Sequence, residues 1–552
     1  VNGSVLNTNR TDWMNENMLT YKKDWKNGRH KLNAVAGFTM QGSSQRRFGY
    51  SSMQIPNESL GISGIDDGLP DSMTALLTEN YLMSWLGRIN YSFRSRYMFT
   101  VSFRADGSSK FSPDNRWGYF PSGAFAWRLG EEKFMRRLRF IDDAKLRISY
   151  GVTGNNRIGD YSVHPSLTLS DYYSFNNGQP ADAIVTSSLG NQDLIWESTE
   201  QVDAGLDLRL FKNRISLTVD WYQKKTRDLL LNANLPYSSG YRSVYKNIGK
   251  VRNRGLEISL STVNVKTRRF EWSSDFNISF NRSRVLALSE GEENYLSKIS
   301  FTGDFNSTYL YLAKVGQPVA QFYGIEWAGV YGYEDFDQDA AGNYTLKKGV
   351  ATNGNDRSSI QPGDIKYVDQ NGDGVVNTFD KVAIGYTLVP EINYGFGASL
   401  KWKGIDVSVF FSGVGHVTRI IQGQNLFGAS STILRMGQIF EDVAKNRWTL
   451  DNQNPNAPSP RLSLNKVDNN QQLSTYWQRD MSFLRLKDAE IGYTLPESMT
   501  KKWGLSKIRF YIQGKNLVTF SDFKLWDPEV NANYGNVYPL IRTFAIGANV
   551  NF

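Results

Sequence analysis

The sequence predicts an all-β chain, a transmembrane antiparallel β-barrel, on three observations. Apolar and polar residues alternate with a period of two in segment after segment along the chain. No run of about eighteen apolar residues occurs, so membrane-crossing helices are excluded. The links between segments alternate between short and long, as in a barrel with turns at one rim and loops at the other.

Each alternating segment can be placed in order. After the turn Lys26-Asn27-Gly28, Leu32, Ala34, Ala36, Phe38 and Met40 share one face. Trp85, Gly87, Ile89, Tyr91 and Phe93 form the next face, and Arg94-Ser95-Arg96 turns the chain into Tyr97, Phe99, Val101 and Phe103. Leu146, Ile148, Tyr150 and Val152 repeat the pattern. Val202, Ala204, Leu206, Leu208 and Leu210 lead across Phe211-Lys212-Asn213 into Ile215, Leu217, Val219 and Trp221. Further copies are Leu256/Ile258/Leu260 and Phe270/Trp272/Phe276/Ile278/Phe280. Ile392 to Trp402 and Ile405 to Phe411 form a hairpin about Lys403-Gly404, and Ile508, Phe510 and Ile512 precede the last segment. There Phe544, Ile546, Ala548, Val550 and Phe552 oppose Thr543, Gly547, Asn549 and Asn551. The pattern yields about fifteen strands of roughly ten residues, the length a tilted strand needs to cross a bilayer.

Short turns are expected near 26–28, 94–96, 211–213, 262–268 and 403–404, with medium ones near 129–143 and 494–506. Long loops are expected near 43–81, 154–198, 225–252, 282–390, 414–480 and 519–540, all on the side opposite the C-terminus. An odd strand count is awkward for a bacterial barrel, which closes with an even number. The expected remedy is that further strands precede Val1, making residues 1–552 the C-terminal part of a longer barrel protein.

Composition agrees with this reading. An aromatic content of 13% and 48 glycines suit girdles and tight turns. A mean hydropathy of -0.45 is low for a membrane protein, but half of each barrel strand faces water. Cysteine is absent, which removes thiolate metal sites, cysteine nucleophiles and disulfides together. His30, His164 and His416 stand far apart, and no Ser/His/Asp set, P-loop or zinc motif occurs, so no enzyme is expected. The +9 charge is spread among mixed signs without a basic stripe, so nucleic acid is not an expected partner.

Several stretches resemble the SusC/RagA branch of the TonB-dependent outer-membrane transporters. They are Arg104-Ala-Asp-Gly-Ser-Ser-Lys-Phe111 with Asn115-Arg-Trp-Gly-Tyr-Phe-Pro-Ser122, Leu146-Arg-Ile-Ser-Tyr-Gly-Val-Thr-Gly-Asn155, and Trp196-Glu-Ser-Thr-Glu-Gln-Val-Asp-Ala-Gly-Leu-Asp207. Asn253-Arg-Gly-Leu-Glu-Ile258, Val315-Gly-Gln-Pro with Phe322-Tyr-Gly324, and Phe483-Leu-Arg-Leu-Lys487 complete them in order. The resemblance implies a barrel of about 22 strands in the bacterial outer membrane. The plug and the segment that contacts TonB–ExbB–ExbD would lie upstream of Val1. It further implies import of oligosaccharides or oligopeptides with a SusD-like surface lipoprotein. The alternative is a non-transporting barrel that serves as an architectural subunit of a larger complex.

One local motif carries metal chemistry. Asp369, Asn371, Asp373, Asn377 and Asp380 stand at positions 1, 3, 5, 9 and 12 of a twelve-residue loop, with Gly374 at 6 and the Val375 carbonyl at 7. This is the calcium loop of EF-hands, departing in Asp rather than Glu at the last position, and predicts structural Ca2+. The patch Asp335-Phe-Asp337-Gln-Asp339 starts with the same spacing but continues into Ala340 and Ala341. Trp117, Tyr119 and Phe120 are expected to anchor their turn at the outer membrane interface. The loop aromatics Tyr172, Tyr173, Phe175, Tyr309, Tyr311, Tyr476, Trp477 and Trp526 are candidate substrate contacts, since aromatic faces stack on sugar rings and pack against peptides.

Overall fold

The computed structural model describes all residues except 177–178, 242, 289–293, 299–308, 422–438, 464–466 and 531–536. Fifteen strands form one antiparallel sheet whose order follows the chain. They are β1 (Gly3–Trp25), β2 (His30–Met53), β3 (Leu69–Phe93), β4 (Tyr97–Ser108), β5 (Trp117–Arg128), β6 (Ile141–Asn155), β7 (Glu197–Leu210) and β8 (Ile215–Arg227). Then come β9 (Lys250–Lys266), β10 (Phe270–Ala287), β11 (Ile392–Trp402), β12 (Ile405–Gly415), β13 (Phe483–Thr494), β14 (Lys507–Phe520) and β15 (Thr543–Asn551). No helix among the described residues is long and apolar enough to cross a membrane. Two compact units are distinguished: residues 1–208 with 220–252, and residues 209–219 with 253–552.

In the first unit the register gathers the predicted apolar faces into continuous rows. Leu19, Ala36, Gly87 and Phe103 are successive neighbours across β1 to β4, and Tyr21, Ala34, Ile89 and Val101 form the next row. Large apolar side chains on this face are exposed, among them Leu19, Ile89 and Val101. At the short-turn end Trp25, His30, Phe93, Tyr97 and Trp127 are cross-strand neighbours. Their rings follow one another at 5.0 to 6.3 Å, a girdle at the height of the turns. In the second unit, Trp272, Leu400, Val407, Ile491, Ile512 and Ile546 make an equivalent row.

The turns are left-handed, as hairpins joining right-twisted strands require. Lys403 and Gly404 have φ of 48° and 91°, and Arg94 and Ser95 adopt 54° and 53° without a glycine. One expected loop is largely strand. Residues 43–81 read as a loop, yet β2 and β3 stay paired from Gln41–Leu82 out to Met53–Leu69. Only 54–68 connects them, and β4 reaches no further along β3 than Leu82. Beyond that point β1, β2 and β3 form a ribbon of their own. Gly42-Ser-Ser-Gln-Arg-Arg47 opposite Leu76-Leu-Thr-Glu-Asn-Tyr81 has no dry face, so the period-two signal fades while the backbone ladder continues.

Phe120 also departs from expectation. Tyr119 lies exposed on the apolar face, but Phe120, one residue on, points to the other side. It packs at 5.5 Å on Trp196, beside buried Phe111, Ile158, Val163 and Leu194.

Candidate functional site

The strand faces opposite the apolar rows carry hydrogen-bonded charges. In the first unit Arg147 spans Asp207 (Nε–Oδ2 2.8 Å) and Asp220 (Nη2–Oδ1 2.9 Å). Ser149 and Gln201 donate to Asp203 at 3.0 and 2.7 Å. Arg104 holds Asp106 through Nε at 2.6 Å and reaches Ser84 at 3.0 Å. In the second unit Arg509 bridges Asp406 (Nε–Oδ1 3.0 Å) and Glu490 (Nη2–Oε1 2.5 Å), while Gln513 donates to Asp488 at 2.9 Å. Each Arg meets carboxylates in a charge-assisted arrangement that fixes its side chain. A wall with this face wet and its reverse greasy suits a water-filled barrel interior.

The loops of the second unit fold into a core of their own. Phe322, Ile325, Ile365, Tyr367, Ile420, Ile421, Leu473 and Met481 are buried together. Residues 473–475 add to Ile325 as a parallel bridge, with Ile325 N–H donating to Leu473 O at 2.9 Å and Thr475 N–H to Ile325 O at 3.0 Å. Asn469 and Asn470 are buried and replace sheet partners for Ile365, whose carbonyl accepts from Asn469 and whose N–H donates to Asn470, both at 2.7 Å. Asp364 is fully buried, pairs with Arg461 at 2.9 Å, and accepts from Gln361 N–H at 2.8 Å and Asn470 Nδ2 at 3.2 Å. Burial pushes its carboxyl above the ordinary range, opposed by the Arg461 guanidinium. Arg485 is buried against Asp527 (2.5 Å) and Glu529 (3.4 Å), pinning the loop after β14.

A surface groove of about 400 Å³ opens on this loop region, lined by Tyr333, Tyr344, Gln361, Arg447, Trp448 and Arg461. Tyr333 lies 5.1 Å from Tyr344 and 5.7 Å from Trp448, ring centre to ring centre. Aromatic faces beside guanidinium and amide donors can grip a sugar ring or a peptide. None of these residues stands in a local sequence motif. Asn469, Asn470, Asp364 and Arg461 are equally silent, because their partners lie about a hundred residues away. Arg485 lies within a stretch the sequence singles out, Phe483 to Lys487, as Phe322 of the core does within Phe322 to Gly324.

Other expected contacts fall differently. Tyr476 and Trp477 are 3% and 0% exposed inside the loop core, where they pack edge to face at 4.8 Å. They cannot reach a substrate unless that core opens. Tyr311 packs tilted against Phe322 at 5.2 Å, and Trp526 edge to face against Phe523 at 4.9 Å. Tyr172, Tyr173 and Phe175 belong to the strand Ser166–Asn176, which pairs with Gln179–Ser188. Their side chains, and that of Tyr309, lie outside the described residues.

The loop from Asp369 to Asp380 is tightly turned. Asp369 accepts from Gly372 and Gly374 N–H, both at 2.8 Å. Asn371 accepts from Asp373 N–H at 2.9 Å, and Asp373 from Val375 N–H at 2.8 Å. Asn377 Nδ2 donates to the Val375 carbonyl at 3.2 Å. Asp380 is fully buried and takes Gln370 N–H at 2.9 Å and Asn377 N–H at 2.7 Å. No three acidic or histidine side chains among the described residues converge as a metal site. The patch at 335–339 divides between tasks: Asp335 binds Lys366 at 2.9 Å, and Asp339 closes a turn onto Ala341 and Asn343.

An aromatic-banded apolar face, a hydrogen-bonded polar face and a strand ladder joined alternately by short turns and long loops define an outer-membrane β-barrel protein. The chain belongs to the TonB dependent receptor-like, beta-barrel family, which it matches over residues 2–517. It is 33% identical to TonB-dependent receptor P3 of Formosa agariphila, over 99% of this chain and 52% of that protein. It is 29% identical to TonB-dependent receptor SusC of Bacteroides thetaiotaomicron, over 87% of this chain and 44% of that protein. The solved RagAB peptide transporter matches all of this chain and 56% of its own, at 25% identity and a TM-score of 0.77. These likenesses place the chain in the SusC/RagA branch. The chain spans about half the length of the curated relatives it matches. Those relatives are named as receptors, and none as an enzyme.

Proposed function

We propose that the protein to which this chain belongs imports oligosaccharides or oligopeptides across the outer membrane. A SusD-like surface lipoprotein would deliver the substrate, and TonB–ExbB–ExbD would supply energy through a segment outside residues 1–552. The observation that carries this reading is the packed loop core of the second unit with its aromatic and cationic groove. A plain pore needs no such core, whereas a rigid platform suits both substrate capture and a lipoprotein lid. The name RagAB peptide transporter supports the oligopeptide class; oligosaccharide is the other class that resemblance to the SusC/RagA branch implies.

The test is uptake of labelled oligosaccharide and oligopeptide pools by cells with and without the gene, alongside affinity purification of its complex. Loss of one pool, restored by the intact gene, supports import. Unchanged uptake together with a multi-subunit assembly that falls apart without the protein favours the architectural alternative. Tyr333→Ala should raise the half-saturating concentration about three- to tenfold, the worth of one aromatic stacking contact.

We also infer that the loop from Asp369 to Asp380 takes Ca2+. The ligand spacing supports this, as does the Asp369 carboxylate drawing the N–H groups of positions 4 and 6 around it. Asp369, Asn371, Asp373, the Val375 carbonyl and Asp380 would supply oxygens, with Asp373 and Asp380 drawn inward on binding. Calorimetry with Ca2+ on the full-length protein should show one site that Asp369→Ala and Asp373→Ala remove. Identical heats for wild type and variants would refute it.

A further inference from the structure

The apolar face of the first unit is not evenly covered. Where Ala36 and Gly87 sit between Leu19 and Phe103, and Ala34 lies between Tyr21 and Ile89, the face sinks into a dent of about 460 Å³ with almost wholly apolar walls. A Cβ added at Gly87 would meet no atom within 4 Å, so the space stands open to the outside of the wall. Six residues along β3 from Gly87, on the same face, stands Phe93 of the aromatic girdle. At the rise of a strand that is about 20 Å, or about 14 Å in depth at a 45° tilt, half the hydrocarbon thickness of a bilayer.

The girdle end of this stretch is basic. Arg94 N–H donates to the Arg29 carbonyl at 2.6 Å, so two neighbouring turns bring Arg29 and Arg94 side by side. The Arg94 guanidinium lies 5.1 Å over the Phe93 ring, on the membrane side of the strand. Further along the same rim Arg96 pairs with Glu132 and Arg128 with Asp143. No carboxylate among the described residues pairs with Arg29 or Arg94. Exposed Lys26 adds to the same turn.

We propose that this stretch of wall is a binding site for one phospholipid with an anionic headgroup, in the leaflet facing the short turns. The phosphate, with no headgroup ammonium to offset it, sits between Arg29 and Arg94, the glycerol region lies at the Tyr91–His30 pair, and an acyl chain runs along the face into the dent at Gly87. His30 Nδ1 and Tyr91 Oη are 2.8 Å apart, a polar pair at the depth where the ester groups fall. Charge complementarity decides the occupant. A second copy of this chain would bring its own unpaired Arg29 and Arg94 toward an equally basic rim, whereas an anionic lipid answers both the charge and the open space. The site depends on the membrane placement of the wall and not on what the protein transports.

The test places the full-length protein in nanodiscs of equal phosphatidylglycerol and phosphatidylcholine, and counts retained lipids by native mass spectrometry after gentle release. Wild type should retain phosphatidylglycerol in preference. Arg29→Gln with Arg94→Gln should cut that preference roughly fivefold for each cation removed. Gly87→Leu, whose Cβ meets no atom within 4 Å and whose side chain would occupy the dent, should lower retention of the lipid while leaving its headgroup preference. The arginine variants lie in exposed turns and keep the test decisive should Gly87→Leu fail to fold. Equal retention by all three proteins overturns the proposal. So does a lipid-free dimer that Gly87→Leu converts to monomer, which would assign the face to a second copy.

Discussion

The wall and the loop core of the second unit use the same residue types in opposite ways. On β14 and β15 Ile512, Phe544 and Ile546 point outward and are more than half exposed. In the loops Ile365, Ile421 and Trp477 are fully enclosed by their own chain. The loop core is held by water's exclusion from apolar surface, as in any globular domain. The wall has no such drive between its lipid-facing side chains. It holds because every backbone group must pair where no water can reach, and because lipid accepts its outer face. The same substitution should therefore have different consequences in the two places.

Trp477→Ala tests the core side of this contrast and should have the largest effect. Emptying a fully buried indole site costs about 3–5 kcal/mol. Hydrogen exchange at Ile325, Ile365 and Thr475 should quicken, while heat-resistant migration of the barrel on gels stays unchanged. Unaltered exchange would show that the loop core is not one cooperative unit. Arg485→Met comes next, at about 3 kcal/mol, because removing a buried cation strands the Asp527 and Glu529 carboxylates. Protease should then cut within 521–530. Lys487, which binds Glu529 at 2.6 Å but is 40% exposed, should matter by less than about 1 kcal/mol when replaced by Ala.

Ile512→Lys addresses the wall. Five residues from the start of β14 it lies near mid-bilayer, where a lysine costs about 2–4 kcal/mol. Gln513→Lys, one residue on and facing Asp488, should fold into vesicles as wild type does. Equal penalties at both positions would mean the two faces are not lipid and water, and the membrane placement would fail.

These differences also explain what could be read from the sequence. The wall was legible because its rule is local: each residue's side follows from its neighbour's, and turns such as Lys403-Gly404 declare themselves. The rule failed at 43–53, where both faces of the ribbon are wet and alternation no longer separates them. The loop core was not legible. Tyr476 and Trp477 read as surface aromatics because their polar surroundings, Ser474, Thr475, Gln478 and Arg479, are what a solvated loop also looks like. Only the strand-like bridge to Ile325 shows that they face inward, and that partner lies about 150 residues upstream. Asn469 and Asn470 mislead in the same way, since amides that complete a sheet edge cannot be told from amides in water.

Acidification should separate the buried and exposed carboxylates of the loop region, a small effect with opposite signs. Asp364 is raised above the ordinary 3.8 chiefly by burial, against the pull of Arg461. Its folded form thus holds a proton at a pH where the unfolded form has lost one. Its cost to stability appears as pH rises through the window between 3.8 and the folded value, and is relieved as pH falls through it. Asp339, held low by the Asn343 side chain, and Asp356, held low by Ser358 N–H, behave in reverse. Their contribution is complete above 3.8 and is lost as pH falls through their lower folded values. Exchange corrected for its intrinsic pH dependence should slow at the Ile365 amide between neutral pH and 3.8, with Asn343 unchanged until below 3.8. Asp364→Asn should abolish the first change and leave the second. Faster exchange at Ile365 on acidification would mean that the Arg461 ion pair outweighs burial, and that this loop core is held by charge as well as by its apolar packing.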